Sequence, residues 1–168
     1  MNVSLDIKSE VSKFLKGIII CKKSGIYLLD LILDSDINPV LLSSFVGALQ
    51  LFGAENMGKI EEITIKGLSI DMIIVNKYDL VMITILDKSF VKNDIRAESE
   101  KALDMFYSIY RDEIEDCAEV YQFESFKKIL YDQIEDYFIR IKNEDTKAEI
   151  EDYGFFTETL TKLRNGSH

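Results

Sequence analysis

The sequence of 168 residues has no tryptophan, one proline, two cysteines and one histidine, and each scarcity removes a class of chemistry. The histidine is His168, the last residue, so no serine, threonine or cysteine in the chain has an imidazole base and a nucleophile–histidine mechanism cannot be assembled. The closing Gly166-Ser167-His168 reads as the start of a vector-encoded affinity tag and carries no functional argument. Cys21 and Cys117 have neither CxxC spacing nor histidine partners, which excludes a thiolate metal site and leaves two reduced thiols in a cytoplasmic protein. No run approaches about 18 apolar residues. The N-terminal MNVSLDIKSEVSKF lacks a basic segment followed by an apolar one, and neither end carries a lipidation motif, so a protein that is neither secreted nor inserted in a membrane is expected. Positive charge is also short, with 20 Lys and Arg against 30 Asp and Glu and a net charge of −10. That balance works against unaided binding to nucleic acid or an anionic membrane, both of which need a basic patch, and points to protein partners.

What is present is enough for one core, since 47% of the residues are hydrophobic and the length is that of a single ordinary domain. Its centre is the stretch Gly58–Asp87, which reads as three consecutive antiparallel strands. In the first, Lys59 to Lys66, Ile63 and Ile65 alternate with Glu62, Thr64 and Lys66, as in an edge strand with one polar face. The second, from Leu68 to Val75, loses polarity along its length, and the third, Leu80 to Leu86, is apolar on both faces except at Thr84, as expected of a strand covered on both sides. Gly67 separates the first pair, and Asn76-Lys77-Tyr78-Asp79 reads as a four-residue hairpin connection. Before this meander, Gly17–Cys21 and Ile26–Leu33 read as two strands joined by Lys22-Lys23-Ser24-Gly25.

Helices surround the strands. Ile7, Val11, Phe14 and Leu15 mark a short one over residues 4–16 behind Ser4 as a cap. Asn38 as N-cap, Pro39 at the first position and Gly53 past the end predict a helix from Pro39 to Phe52. Leu41, Leu42, Phe45, Val46, Leu49 and Phe52 form its apolar stripe, which is expected to face the sheet, while Ser43, Ser44 and Gly47 permit a close backbone approach. Asn93 or Asp94 is expected to cap a helix to Asp116 with Ala102, Leu103, Phe106, Ile109, Tyr110 and Ile114 inward. Another over residues 122–142 carries Phe123, Phe126, Leu130, Ile134, Phe138 and Ile141. The expected organisation is one domain over 1–143, with its centre at 17–116 and an acidic tail at 144–168.

Chemistry is harder to find. Gly53-Ala54-Glu55-Asn56-Met57-Gly58-Lys59 imitates the G-x-x-x-x-G-K phosphate loop, but Ile60 stands where a magnesium-binding hydroxyl is needed, and a helix precedes a strand where the loop requires the reverse. Carboxylate pairs such as Glu113-Glu115 and Glu135-Asp136 fall on polar helix faces. No catalytic residues, cofactor or metal are expected.

The element order resembles the roadblock/longin superfamily, and the segments GIIICKKSGIYLLD, LLSSFVGALQLFG and LVMITILD carry the likeness, which is nearest to small longin-like and roadblock-like proteins of archaea. The resemblance spans about Gly17 to Asp116 and implies an α/β (α+β) fold with five mostly antiparallel strands in the order 2-1-5-4-3 and helices on both faces. A leading helix is a roadblock trait and two helices after the meander are a longin trait. Such proteins are typically non-enzymatic platforms that pair with one another and bind or regulate small GTPases, or serve in trafficking complexes. By that resemblance a homodimer, or a heterodimer with a related domain, is expected, with Glu62, Thr64, Lys66, Ser43, Ser44 and Gly47 as interface candidates. The alternative is a small-molecule sensor of GAF or PAS type, which would need a roomy pocket between sheet and helix.

Overall fold

A computed structural model describes the backbone of residues 2–90, 94–116 and 119–165, and the side chains of those between 6 and 147. Five strands, β1 (Leu15–Lys22), β2 (Tyr27–Ile32), β3 (Glu62–Lys66), β4 (Ile70–Lys77) and β5 (Leu80–Asp87), form one sheet in the order β2-β1-β5-β4-β3. Every neighbouring pair is antiparallel. The order follows from the residues: β5, buried from Leu80 to Leu86, sits in the middle, and β3, exposed at every second residue, is an edge. The four-residue connection expected after β4 is shorter, because Asn76 and Lys77 stay in the strand and Lys77 pairs with Leu80. Their polarity is used elsewhere: Asn76 is held by Gln50, and Lys77 lies 2.8 Å from Asp104. Tyr78 takes the left-handed φ of 59° in the remaining two-residue turn.

One face of the sheet is covered by α1 (Asn2–Phe14), α3 (Ile95–Glu115) and α4 (Phe126–Asn165), with a 3-10 turn at Val120–Phe123 between the last two. Helix α1 starts ahead of Ser4, which lies within it. The core here runs from Ile7 and Val11 through Ile18, Ile20, Met82 and Leu86 to the aromatic residues of the later helices. Phe106, Phe123 and Phe126 are completely buried, and their rings pack with that of Tyr110 at centroid distances of 5.1–6.2 Å. Ile109, expected inward, is 50% exposed. The buried residues Phe106, Tyr110 and Ile114 follow one another at steps of four, which leaves Ile109 on the flank of that stripe, and the helix departs from regular geometry at Tyr110 (φ −116°, ψ 20°). Asp94 precedes α3 in the left-handed region with no capping side-chain bond; the alternative cap, Asn93, lies outside the described residues. Helix α4 begins at Phe126 and continues past Lys142, where the sequence reading ended it, as one helix of 40 residues.

The other face carries α2 (Pro39–Asn56). Asn38 caps it, its Oδ1 accepting the Leu41 N–H at 3.0 Å, with Pro39 following. Two expectations fail. Gly53 is not past the end but buried inside the helix, where the Ile60 side chain occupies the space a Cβ would need; the helix ends at Asn56, with the Met57 N–H bonded to the Gly53 carbonyl at 2.7 Å. The large apolar stripe faces the sheet only in part, through the buried Val46 and the half-buried Leu42. Ser43, Val46, Gly47, Gln50 and Gly53 face inward, while Leu41 and Phe45 are 69% and 50% exposed. The cause is the β1–β2 hairpin, whose Gly25 (φ 92°) lies so close that a Cβ on Gly47 would be 2.6 Å from the Gly25 Cα. Only small residues tolerate that approach, so the bulky ones are turned outward.

Candidate interaction surface

Edge strand β3 offers the free half of its backbone in a definite pattern. The Asn76 N–H bonds the Glu61 carbonyl at 2.9 Å and the Gly67 N–H bonds the Ile70 carbonyl at 2.9 Å, so Glu61, Ile63, Ile65 and Gly67 are the positions turned toward β4. By alternation Glu62, Thr64 and Lys66 aim their N–H and C=O groups away from the sheet. Their side chains are exposed on the face that carries α3. At its near end, the Arg96 guanidinium lies 3.1 Å from Glu61, 3.6 Å from Glu62 and 3.2 Å from Glu100, which keeps the strand entry tied to the helix.

On the opposite face, Ile63 and Ile65 of β3 and Ile70 and Met72 of β4 are only partly buried beside the cluster around Val46. Leu42 of α2 packs on the same cluster, and on the outer side of that helix Val40, Leu41, Phe45, Leu51 and Phe52 are between 50% and 69% exposed. A helix apolar on its outer side as well as its inner side is unusual for one that faces only water. Of the six candidates expected from sequence, Glu62, Thr64 and Lys66 lie on the open edge and Ser44 lies exposed on α2. Ser43 and Gly47 are buried against the hairpin, with the Ser43 hydroxyl donating to the Pro39 carbonyl at 2.7 Å; in this chain they serve internal packing. The exposed apolar residues of α2 were missed as candidates, since their spacing was read as core.

A buried amide pair joins the two halves of this surface. Gln50 and Asn76 exchange hydrogen bonds at 3.0 and 2.9 Å, and the second Asn76 N–H donates to the Ile60 carbonyl at 2.6 Å. The pair therefore fixes α2, β4 and the entry to β3 relative to one another. Sequence reasoning placed Asn76 in a hairpin connection and did not single out Gln50, whose position on the mixed stripe gave no signal.

Two titratable groups elsewhere show shifts with a clear cause. The Cys21 thiol is pushed up to about 11 by burial, against a lowering contact with Ser43, and so is unreactive. Burial raises the Glu98 carboxyl, but hydrogen bonds from Arg140 and Gln133 outweigh it and hold the group below the usual glutamate value. Among the described residues no group of three or more His, Cys, Asp and Glu side chains could hold a metal ion. No helix among them is long and apolar enough to cross a membrane. The apolar pocket between β1–β5 and α3–α4 is about 50 Å³, well short of the roughly 300–1,000 Å³ of metabolite pockets, and the larger space of about 520 Å³ between β3 and α3 is an open cleft lined mostly by charged and polar residues such as Glu62, Thr64, Arg96 and Glu100. This disfavours the sensor alternative.

No protein-family model matches the chain, and no curated protein sequence matches it. Solved structures do resemble it. The Myxococcus xanthus protein MglB superposes with a TM-score of 0.51 at 17% identity, over 64% of this chain and 84% of that one. The gliding protein MglB of Thermus thermophilus has a TM-score of 0.41 at 8% identity over 52% and 73% of the two chains. A roadblock/LC7 domain of Streptomyces avermitilis has 0.39 at 9% identity over 49% and 75%. Of the three, only the first superposes well enough to bear on the fold. The chain has a roadblock/longin-like fold, and at such identities the likeness concerns fold alone. Myxococcus xanthus is a bacterium, so the archaeal likeness gains no support.

Proposed function

We propose that the chain is a non-catalytic interaction domain that pairs with a second copy through β3 and the outer face of α2, and that the paired domain regulates a small GTPase. The pairing rests on one observation, an open strand edge next to an uncovered apolar surface formed by α2 and the half-buried residues of β3 and β4. An edge with free donors and acceptors templates another strand. In an antiparallel pair centred on Thr64, Glu62 meets Lys66 of the second copy, and the outward backbone groups of the three residues make about six hydrogen bonds across the axis. Each opposite-charge pair adds roughly 0.2–1 kcal/mol. The GTPase role comes from the resemblance to roadblock and longin proteins and not from any residue described above.

Two measurements test this reading. Calorimetric titration with magnesium-GTP and magnesium-ATP should give no heat of binding, because Ile60 and the helix-to-strand order leave no phosphate cradle. Micromolar binding of either nucleotide contradicts the non-catalytic role. Addition of the chain to small GTPases of its own source organism should change the hydrolysis or exchange rate of at least one of them; a panel with unchanged rates removes the GTPase assignment and leaves the pairing to stand alone.

A further inference from the structure

The pocket of about 50 Å³ lies between β1 and β5 on one side and α3 and α4 on the other, and it is partly open to solvent. Most of its wall is aliphatic, from Leu15, Ile18, Met82 and Leu86. Two of its lining residues nonetheless carry polar atoms without a hydrogen-bond partner. Thr84, in the middle of β5 and 4% exposed, has an unbonded Oγ1, and Gln133 of α4 has an unbonded Oε1. The orientation of the glutamine amide is settled by its other end. Its Nε2 sits 3.0 Å from the Glu98 carbonyl oxygen and 3.0 Å from Glu98 Oε2, both acceptors, so an exchanged amide would put oxygen against oxygen.

Cavities that stay dry are apolar, whereas a cavity with orphaned polar atoms and room for a molecule fills. The volume is roughly a third of that of an engineered apolar cavity of about 150 Å³ that accepts benzene, and it corresponds to one to three water positions. Gln133 Oε1 can only accept, and Thr84 Oγ1 can donate and accept, so the occupant must supply a donor. Glu98, Ser99 and Tyr137 also line the pocket, but the Glu98 carboxylate is already held by Arg140 and Gln133 and the rest of the wall is largely aliphatic, which opposes an ion. We propose that this cavity is a binding site for a small neutral hydroxyl compound, either water or a short alcohol, that donates to Gln133 and shares a hydrogen bond with Thr84. The occupant ties the sheet to α4 and, through the glutamine amide, to Glu98 of α3.

Water-oxygen relaxation dispersion on the full chain tests the site, because it counts internal waters that reside longer than bulk. Wild-type protein and Thr84→Ser should hold a long-lived water that Thr84→Val, of equal shape, lacks. A second arm adds ethanol and reads contacts between its methyl group and the methyls of Ile18, Met82 and Leu86. Contacts together with loss of the long-lived water identify an alcohol site, and no contacts with the water retained identify a water site; either agrees with the proposal. Wild-type protein without a long-lived water and without ethanol contacts overturns it, as does a signal unchanged in Thr84→Val. Should Thr84→Val fail to fold, xenon decides on the wild type alone: exclusion of xenon from the cavity supports an occupied polar site, and shifts of the same methyl groups under xenon pressure mean that it is dry and overturn the proposal.

Discussion

The two faces of the sheet solve the same problem in opposite ways. On one, three helices bury a continuous core that includes Phe106, Phe123, Phe126 and Phe138, and almost every large side chain there is covered. On the other, a single helix turns Ser43, Gly47 and Gly53 inward with Val46 and Gln50 while Leu41, Phe45 and Phe52 point outward, and the buried cluster is confined to Val46 and the strand residues beneath it. Both faces are similarly apolar in sequence. The difference is therefore not one of composition but of what is left uncovered, and it separates the half that holds the chain together from the half available to another chain.

Substitutions of equal chemistry on the two faces should separate most sharply. Phe106→Ala removes a completely buried ring from the aromatic cluster and should cost about 3–5 kcal/mol, a large part of the stability of a domain this size, seen as a lowered urea midpoint. Phe45→Asp places a carboxylate on an exposed position and should leave the urea midpoint of the monomer within about 0.5 kcal/mol of the parent while weakening self-association. If Phe45→Asp unfolds the chain, the outward orientation of that helix face is wrong.

The helix stripe marks where the sequence could be read and where it could not. The edge and central strands followed from how far each strand's alternation was interrupted, the strand order came with the roadblock/longin resemblance, and the Asn38-Pro39 start of α2 followed from capping alone. Which side of α2 faces in did not, because large residues such as Phe45 and small ones such as Ser43 and Gly47 both recur at helical spacing. The choice was made by a residue far away in sequence, Gly25, whose approach admits only the small side. Periodicity gives a helix its faces, but a close backbone contact decides which one is buried. The candidate surface was legible at β3, where polarity and edge position coincide, and illegible on α2 for the same reason.

Gly47→Val probes that contact with a smaller expected effect. The added carbons meet the Gly25 backbone, so α2 must move from the hairpin, with a loss of about 1–3 kcal/mol by thermal unfolding. A variant as stable as the parent would mean that the close approach is not what orients the helix. Smaller still is the effect of Glu98→Gln. Because hydrogen bonds from Arg140 and Gln133 lower the folded-state value of this carboxyl, its contribution is present above the ordinary glutamate range and disappears as pH falls through that lowered value. The variant should be less stable at pH 7 by up to about 1 kcal/mol, with the difference closing below about pH 4. A difference that widens in acid would reverse the sign of the shift.

The central claim, that the less covered half is a pairing surface, is tested most directly by the mass of the chain in solution. Thr64→Pro removes a backbone donor that points away from β4, so it spares the internal ladder while barring a continuous sheet across the edge. Light scattering at roughly a hundred micromolar, a concentration that would populate even a weak dimer, should report twice the chain mass for the parent and the single chain mass for a folded Thr64→Pro variant. A parent that remains monomeric at that concentration, or a variant that remains dimeric, contradicts pairing through β3.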